Sequence, residues 1–138
     1  MEKLWAILHG GSTHFPIALM IASFLFDFAA FIWNKEPYKR DLYAAGFYSL
    51  LLGAAATFVA VLSGLAISAW QFFGGGTLAK HHDFVWPAFG LMIGLAVWRL
   101  VVRNDAARPA FGVYLTFAAL TAVLMGAAGY FGGELLGS

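Results

Sequence analysis

The sequence predicts an all-α integral membrane protein, a bundle of four transmembrane helices with both termini on the outer side. Three observations carry this. Of the 138 residues, 62% are apolar and only 11% are charged, where a soluble domain carries about 25% charge. Mean hydropathy is +0.79. The apolar residues also gather in four stretches long enough to cross a bilayer, which takes about 20 residues each. A water-soluble fold of this length could not hide so much apolar surface, so its natural solvent is lipid.

The first span is expected at about 14–33, with Asp27 its one charge. The second runs over about 42–73, inside a stretch with no charged residue from Leu42 to Ala79, and is long enough to tilt or protrude. The third covers about 84–102 and contains Arg99, and the fourth covers about 110–133 and has no charge. All four belong to a single transmembrane domain over 1–138. The breaks between them are marked. The segment from Asn34 to Asp41 is polar and holds Pro37. Gly74-Gly75-Gly76-Thr77 is expected to end the second span, because glycine continues a helix poorly. Arg103 to Pro109 is charged and ends in proline, which suits a helix start. Pro16 and Pro87 are placed in the first turns of their spans, where proline costs least. The N-terminal Met1-Glu2-Lys3 is hardly basic and no small-residue cleavage site follows, so the first apolar segment is read as a retained helix.

Basic residues set orientation. Five of the eight Lys and Arg residues, Lys35, Lys39, Arg40, Arg103 and Arg108, lie after spans one and three, against Lys3 and Lys80 at the other face. This puts the first set in the cytoplasm of a bacterial cell and both termini outside its inner membrane. Trp5, Trp33, Trp70 and Trp86 fall near the expected interfaces, as belt aromatics do. Small residues recur every four positions: Gly90 and Gly94 on span three, Ala56, Ala60, Gly64 and Ser68 on span two, Ala118, Ala122 and Gly126 on span four. They let helices approach closely, within the bundle or between copies.

Several functions are excluded. A net charge of +1 gives no electrostatic case for nucleic acid. With no cysteine there is no disulfide, thiolate zinc site, cysteine-bound iron–sulfur cluster or covalently attached c-type haem. No nucleophile stands near a base at a recognisable spacing and no phosphate loop is present, so the chain is not expected to be an enzyme by itself.

The four histidines carry the functional signal. His9 and His14 precede or open span one, and His81 and His82 precede span three, so topology gathers all four at the outer face, level with Glu134, Asp83 and Gln71. Imidazole is a ligand for iron, copper and zinc and supplies the axial pair of a b-type haem in helical bundles. The expected axial ligands are His14 and His82, with His9 and His81 as alternatives, and Asp83 could orient a neighbouring ring. A copper or zinc site from the same histidines plus Glu134 is the alternative. The plainer readings are interfacial caps, a wet loop at His81-His82-Asp83, and a cofactor-free accessory subunit.

Asp27 and Arg99 are the only formal charges within the spans, and such charges are expensive in lipid. Asp27 is 13 residues past His14 and Arg99 is 15 past Phe84, about 20 and 22 Å along a helix. They therefore share a depth and are expected to pair. A structural lock, a proton route and an anchor for a haem propionate are the available roles.

The stretch His9-Gly10-Gly11-Ser12-Thr13-His14-Phe15-Pro16-Ile17, with Asp27, His82 (or His81) and Gly132-Gly133-Glu134-Leu135, resembles an uncharacterised family of predicted bacterial four-helix membrane proteins. The resemblance spans nearly the whole chain and departs at Gly10, where the family usually has proline. It implies association with respiratory or redox membrane machinery. The expected function is thus haem b electron transfer near the outer face, alone or within a larger membrane complex or homo-oligomer, between the quinone pool and an outer-face protein.

Overall fold

In a bilayer no water is at hand to satisfy backbone polar groups, so each crossing must close its own hydrogen bonds. The computed structural model, which describes residues 1–103 and 105–137, does this with helices alone. They are α1 (Glu2–Ser12), α2 (His14–Ile32), α3 (Tyr38–Ile67), α4 (Thr77–Val102) and α5 (Arg108–Gly137). Four helices are long and apolar enough to span a membrane, α1 and α2 counting as one at Lys3–Ile32. This is a multi-pass membrane protein. The pattern is inverted relative to a soluble bundle. Leu25, Leu52, Leu62, Val101 and Val123 are exposed, and they line a perimeter that suits lipid.

Short connections at 33–37 and 103–107 make α2/α3 and α4/α5 antiparallel neighbours. The ring closes through α2 against α5 and through α3 against α4, and the α3–α4 pair is the most lightly packed of the four. The centre is filled by Met20, Leu50, Met92, Leu115, Ala118 and Met125. Gly53 makes the middle of the bundle close-packed: a Cβ there would stand 2.6 Å from Met92 Cε and 3.2 Å from Leu19 Cβ.

Four expectations are corrected. The N-terminal stretch before His14 is helical, forming α1, which leans on α3. The second crossing ends at Ile67 rather than near 73. Ala69 and Trp70 take left-handed backbone (φ 51° and 63°), and the Trp70 N–H donates to Leu65 O at 2.8 Å, closing the helix before the glycine run. The third begins at Thr77, so His81, His82 and Asp83 lie within α4 rather than in a loop. Pro87 consequently sits inside that helix rather than in its first turn. Gly90 and Gly94 are exposed, with nothing within 4 Å of a Cβ placed on either, so they pack no other helix of this chain.

Candidate functional site

Two polar features occupy opposite ends of the bundle. At the end bearing the 33–37 and 103–107 connections, Asp27 and Arg99 are both fully buried. Arg99 Nη1 donates to Asp27 Oδ2 at 2.6 Å, and the Tyr114 hydroxyl donates to the same oxygen at 2.7 Å. Arg99 Nη2 donates to Tyr43 O at 3.0 Å. The guanidinium lies among the rings of Tyr43, Phe47, Phe111 and Tyr114, 5.2–6.0 Å from their centroids. Asp27 comes from α2, Tyr43 from α3, Arg99 from α4 and Tyr114 from α5, so one knot ties all four crossings.

The knot depends on a gap in α3. A Cβ at Gly46 would collide with the Asp27 carboxyl. One turn earlier on α2, Ser23 donates to Gly46 O at 2.8 Å. The shared depth of Asp27 and Arg99 was legible from their positions along the spans. Tyr43, Gly46 and Tyr114 were not, because nothing in sequence marks which of many aromatic or small residues faces a charge.

At the opposite end is a cavity of about 500 Å³. Its walls are mostly apolar, including Ile17 from α2, Val61 and Leu65 from α3, Phe89 from α4 and Met125 from α5. All four histidines line it, but they are held differently.

His9, on α1, places Nδ1 3.0 Å from Ala60 O and 3.1 Å from Ser63 Oγ on α3. His81, on α4, places Nδ1 2.8 Å from Ala128 O on α5. A carbonyl only accepts, so in both rings Nδ1 carries the proton and Nε2 keeps its lone pair. Glycines make these placements feasible: a Cβ at Gly64 would stand 2.9 Å from His9 Cε1, and one at Gly132 would stand 3.1 Å from His81 Cε1. His82 is 6% exposed and its Nδ1 has no hydrogen-bond partner. Its ring is 5.7 Å from that of His81 and 6.1 Å from that of Trp86.

The remaining candidates lie farther out. His14 is exposed at the cavity rim. Glu134 is exposed and does not line the cavity, and Asp83 is exposed with no bond to either neighbouring histidine. The orienting role expected of Asp83 is taken by the backbone carbonyls of Ala60 and Ala128. Arg99 does not line the cavity either, so it is no propionate anchor there. Among the described residues, no three His, Cys, Asp or Glu side chains come together as a metal-binding group.

Residues 7–137 match the family described as "Predicted membrane protein (DUF2231)". The chain belongs to that family. The match covers both the knot and the cavity, so both lie inside the DUF2231 unit. No curated protein and no solved structure matches the chain.

Proposed function

We propose that this DUF2231 protein is a b-type haem electron-transfer protein, or the haem-bearing membrane subunit of a respiratory-type complex. The observation that carries the reading is the histidine cavity. Its volume falls within the roughly 300–1,000 Å³ usual for small-molecule and cofactor sites. Its walls are apolar, and imidazole nitrogens stand among its few free polar groups. In His9 and His81 a backbone carbonyl accepts the Nδ1–H hydrogen bond, the arrangement that fixes a metal-ligating histidine through its other nitrogen.

The donor set favours haem over bare copper or zinc. A porphyrin brings four nitrogens of its own, so the protein need supply only one or two. A bare copper or zinc ion calls for at least three protein ligands, and no such trio is assembled among the described residues. His9, from the α1/α3 side, and His81 or His82, from α4, would hold the iron. His14 at the rim is the remaining candidate. Bound haem would supply a one-electron iron(III)/iron(II) couple, and the protein would orient the ring and set its potential.

The basic-residue asymmetry supports a cavity toward the outer face of a bacterial inner membrane, where it would meet the quinone pool and an outer-face electron-transfer protein. The outward Gly90 and Gly94 favour a place in a larger membrane assembly.

Purified protein, expressed with ample haem supply, should show a Soret band and a reduced-minus-oxidised difference spectrum at about one haem per chain. His9→Ala and His81→Ala should each change or abolish it. A preparation with no Soret band overturns the proposal.

A further inference from the structure

The lightly packed seam between α3 and α4 borders the cavity. Three contacts between these helices, or between α4 and the turn that joins them, are aromatic or thioether. Near mid-depth, Met92 reaches the gap at Gly53. One turn toward the histidines, Phe58 of α3 meets Phe89 of α4 edge to face, with centroids 5.2 Å apart. At the histidine end, Trp86 stacks on Phe72 of the turn, 6.1 Å between centroids, and donates Nε1–H to Phe72 O at 2.7 Å.

Between the Phe58–Phe89 pair and the Trp86–Phe72 clasp, the facing residues are Val61 and Leu65 on α3 and Val85 and Trp86 on α4, and all four line the cavity. Phe58 itself is 48% exposed on the perimeter that faces lipid. Two neighbouring seams near this end are closed differently. On the α4/α5 side, Phe84 stacks flat on Phe131, with centroids 5.3 Å apart, and His81 is bonded to Ala128. On the α1/α3 side, His9 is bonded to α3. The α3/α4 side has no polar cross-link along this stretch among the described residues.

We infer that the gap between α3 and α4 is a lateral port from the bilayer into the cavity, with Phe58 and Phe89 as its sill. Its occupant is the haem of the reading above, on which this inference rests. Haem is planar and largely apolar and partitions into lipid, and a slot walled by aliphatic and aromatic side chains passes such a plate edge-on. The edge-to-face Phe58–Phe89 contact opens by ring rotation, without breaking any hydrogen bond.

The chain has no cysteine, so introduced pairs are the sole thiols. Phe58→Cys/Phe89→Cys, bridged by a short bis-maleimide, clamps the proposed port. Phe84→Cys/Phe131→Cys, bridged likewise, clamps the α4/α5 seam as a control. Both proteins are made haem-depleted, placed in phospholipid vesicles, checked for helicity by circular dichroism, and given haem while the Soret band is followed.

The port clamp should slow haem uptake at least tenfold relative to the same unbridged variant. The control clamp should leave the rate within twofold. Bridging after loading should slow haem transfer to an apo-globin acceptor by a similar factor. Equal uptake rates with and without the port clamp overturn the port while leaving haem binding intact. No uptake by the unbridged protein overturns the haem reading, and the port falls with it.

Discussion

Removing the Asp27 carboxylate should be the most damaging single change at the arginine end of the bundle. Asp27→Leu keeps roughly the side-chain size, but it strips Arg99 Nη1 and the Tyr114 hydroxyl of their shared acceptor. Arg99 is fully buried, so it cannot find water without unpacking α4. Breaking a buried pair from one side costs about 3–5 kcal/mol. The lower part of that range, about 3–4 kcal/mol, is roughly two to three powers of ten in the unfolding equilibrium. Asp27→Leu/Arg99→Met removes the stranded charge as well. It should recover most of the loss, with a coupling of about 2–3 kcal/mol between the sites. The reverse pair Asp27→Arg/Arg99→Asp should not recover it, because position 27 abuts Gly46 and has no room for a guanidinium. Reversible unfolding in mixed detergent micelles, followed by circular dichroism, measures the parent, the Arg99→Met single variant and the three variants above. Additive losses in Asp27→Leu/Arg99→Met, or an Asp27→Leu protein within about 1 kcal/mol of the parent, would refute the knot as a coupled unit.

Three further outcomes are expected. Gly46→Ala should destabilise by about 1–3 kcal/mol in the same assay, since its methyl group takes the place of the Asp27 carboxyl; an unchanged midpoint would mean that Asp27 lies elsewhere. Gly132→Val should push the His81 ring off Ala128 O and at least halve haem occupancy at unchanged helicity; full occupancy would remove His81 from the ligand set. Gly75→Cys should react with a membrane-impermeant maleimide in intact cells, whereas Lys35→Cys should react only after permeabilisation; the reverse pattern would invert the orientation.

The membrane character and the four crossings were legible from the sequence, because bilayer thickness and backbone satisfaction impose a length and a hydropathy that composition displays directly. The element ends were less legible. Nothing charged lies between Leu42 and Ala79, so hydropathy ran the second crossing past Ile67, where backbone turning at Ala69 and Trp70 ends the helix. Conversely, Lys80, His81, His82 and Asp83 form a polar run, so hydropathy placed the two histidines before a helix, whereas they are found within one.

Sequence by itself determined that four histidines share one end and that Asp27 and Arg99 share a depth, since position along a helix converts to height. It could not determine rotation about each helix axis, because in lipid apolar residues face both outward and inward and the helices show little amphipathic pattern. Tertiary structure alone decided that His9 and His81 are held by carbonyls of neighbouring helices while His14 sits exposed at the cavity rim. It also decided that Gly46 and Tyr114 complete the knot, and that Gly90 and Gly94 turn away from the bundle. These facts depend on which faces meet, and helix packing sets that through small residues and buried polar contacts rather than through hydropathy.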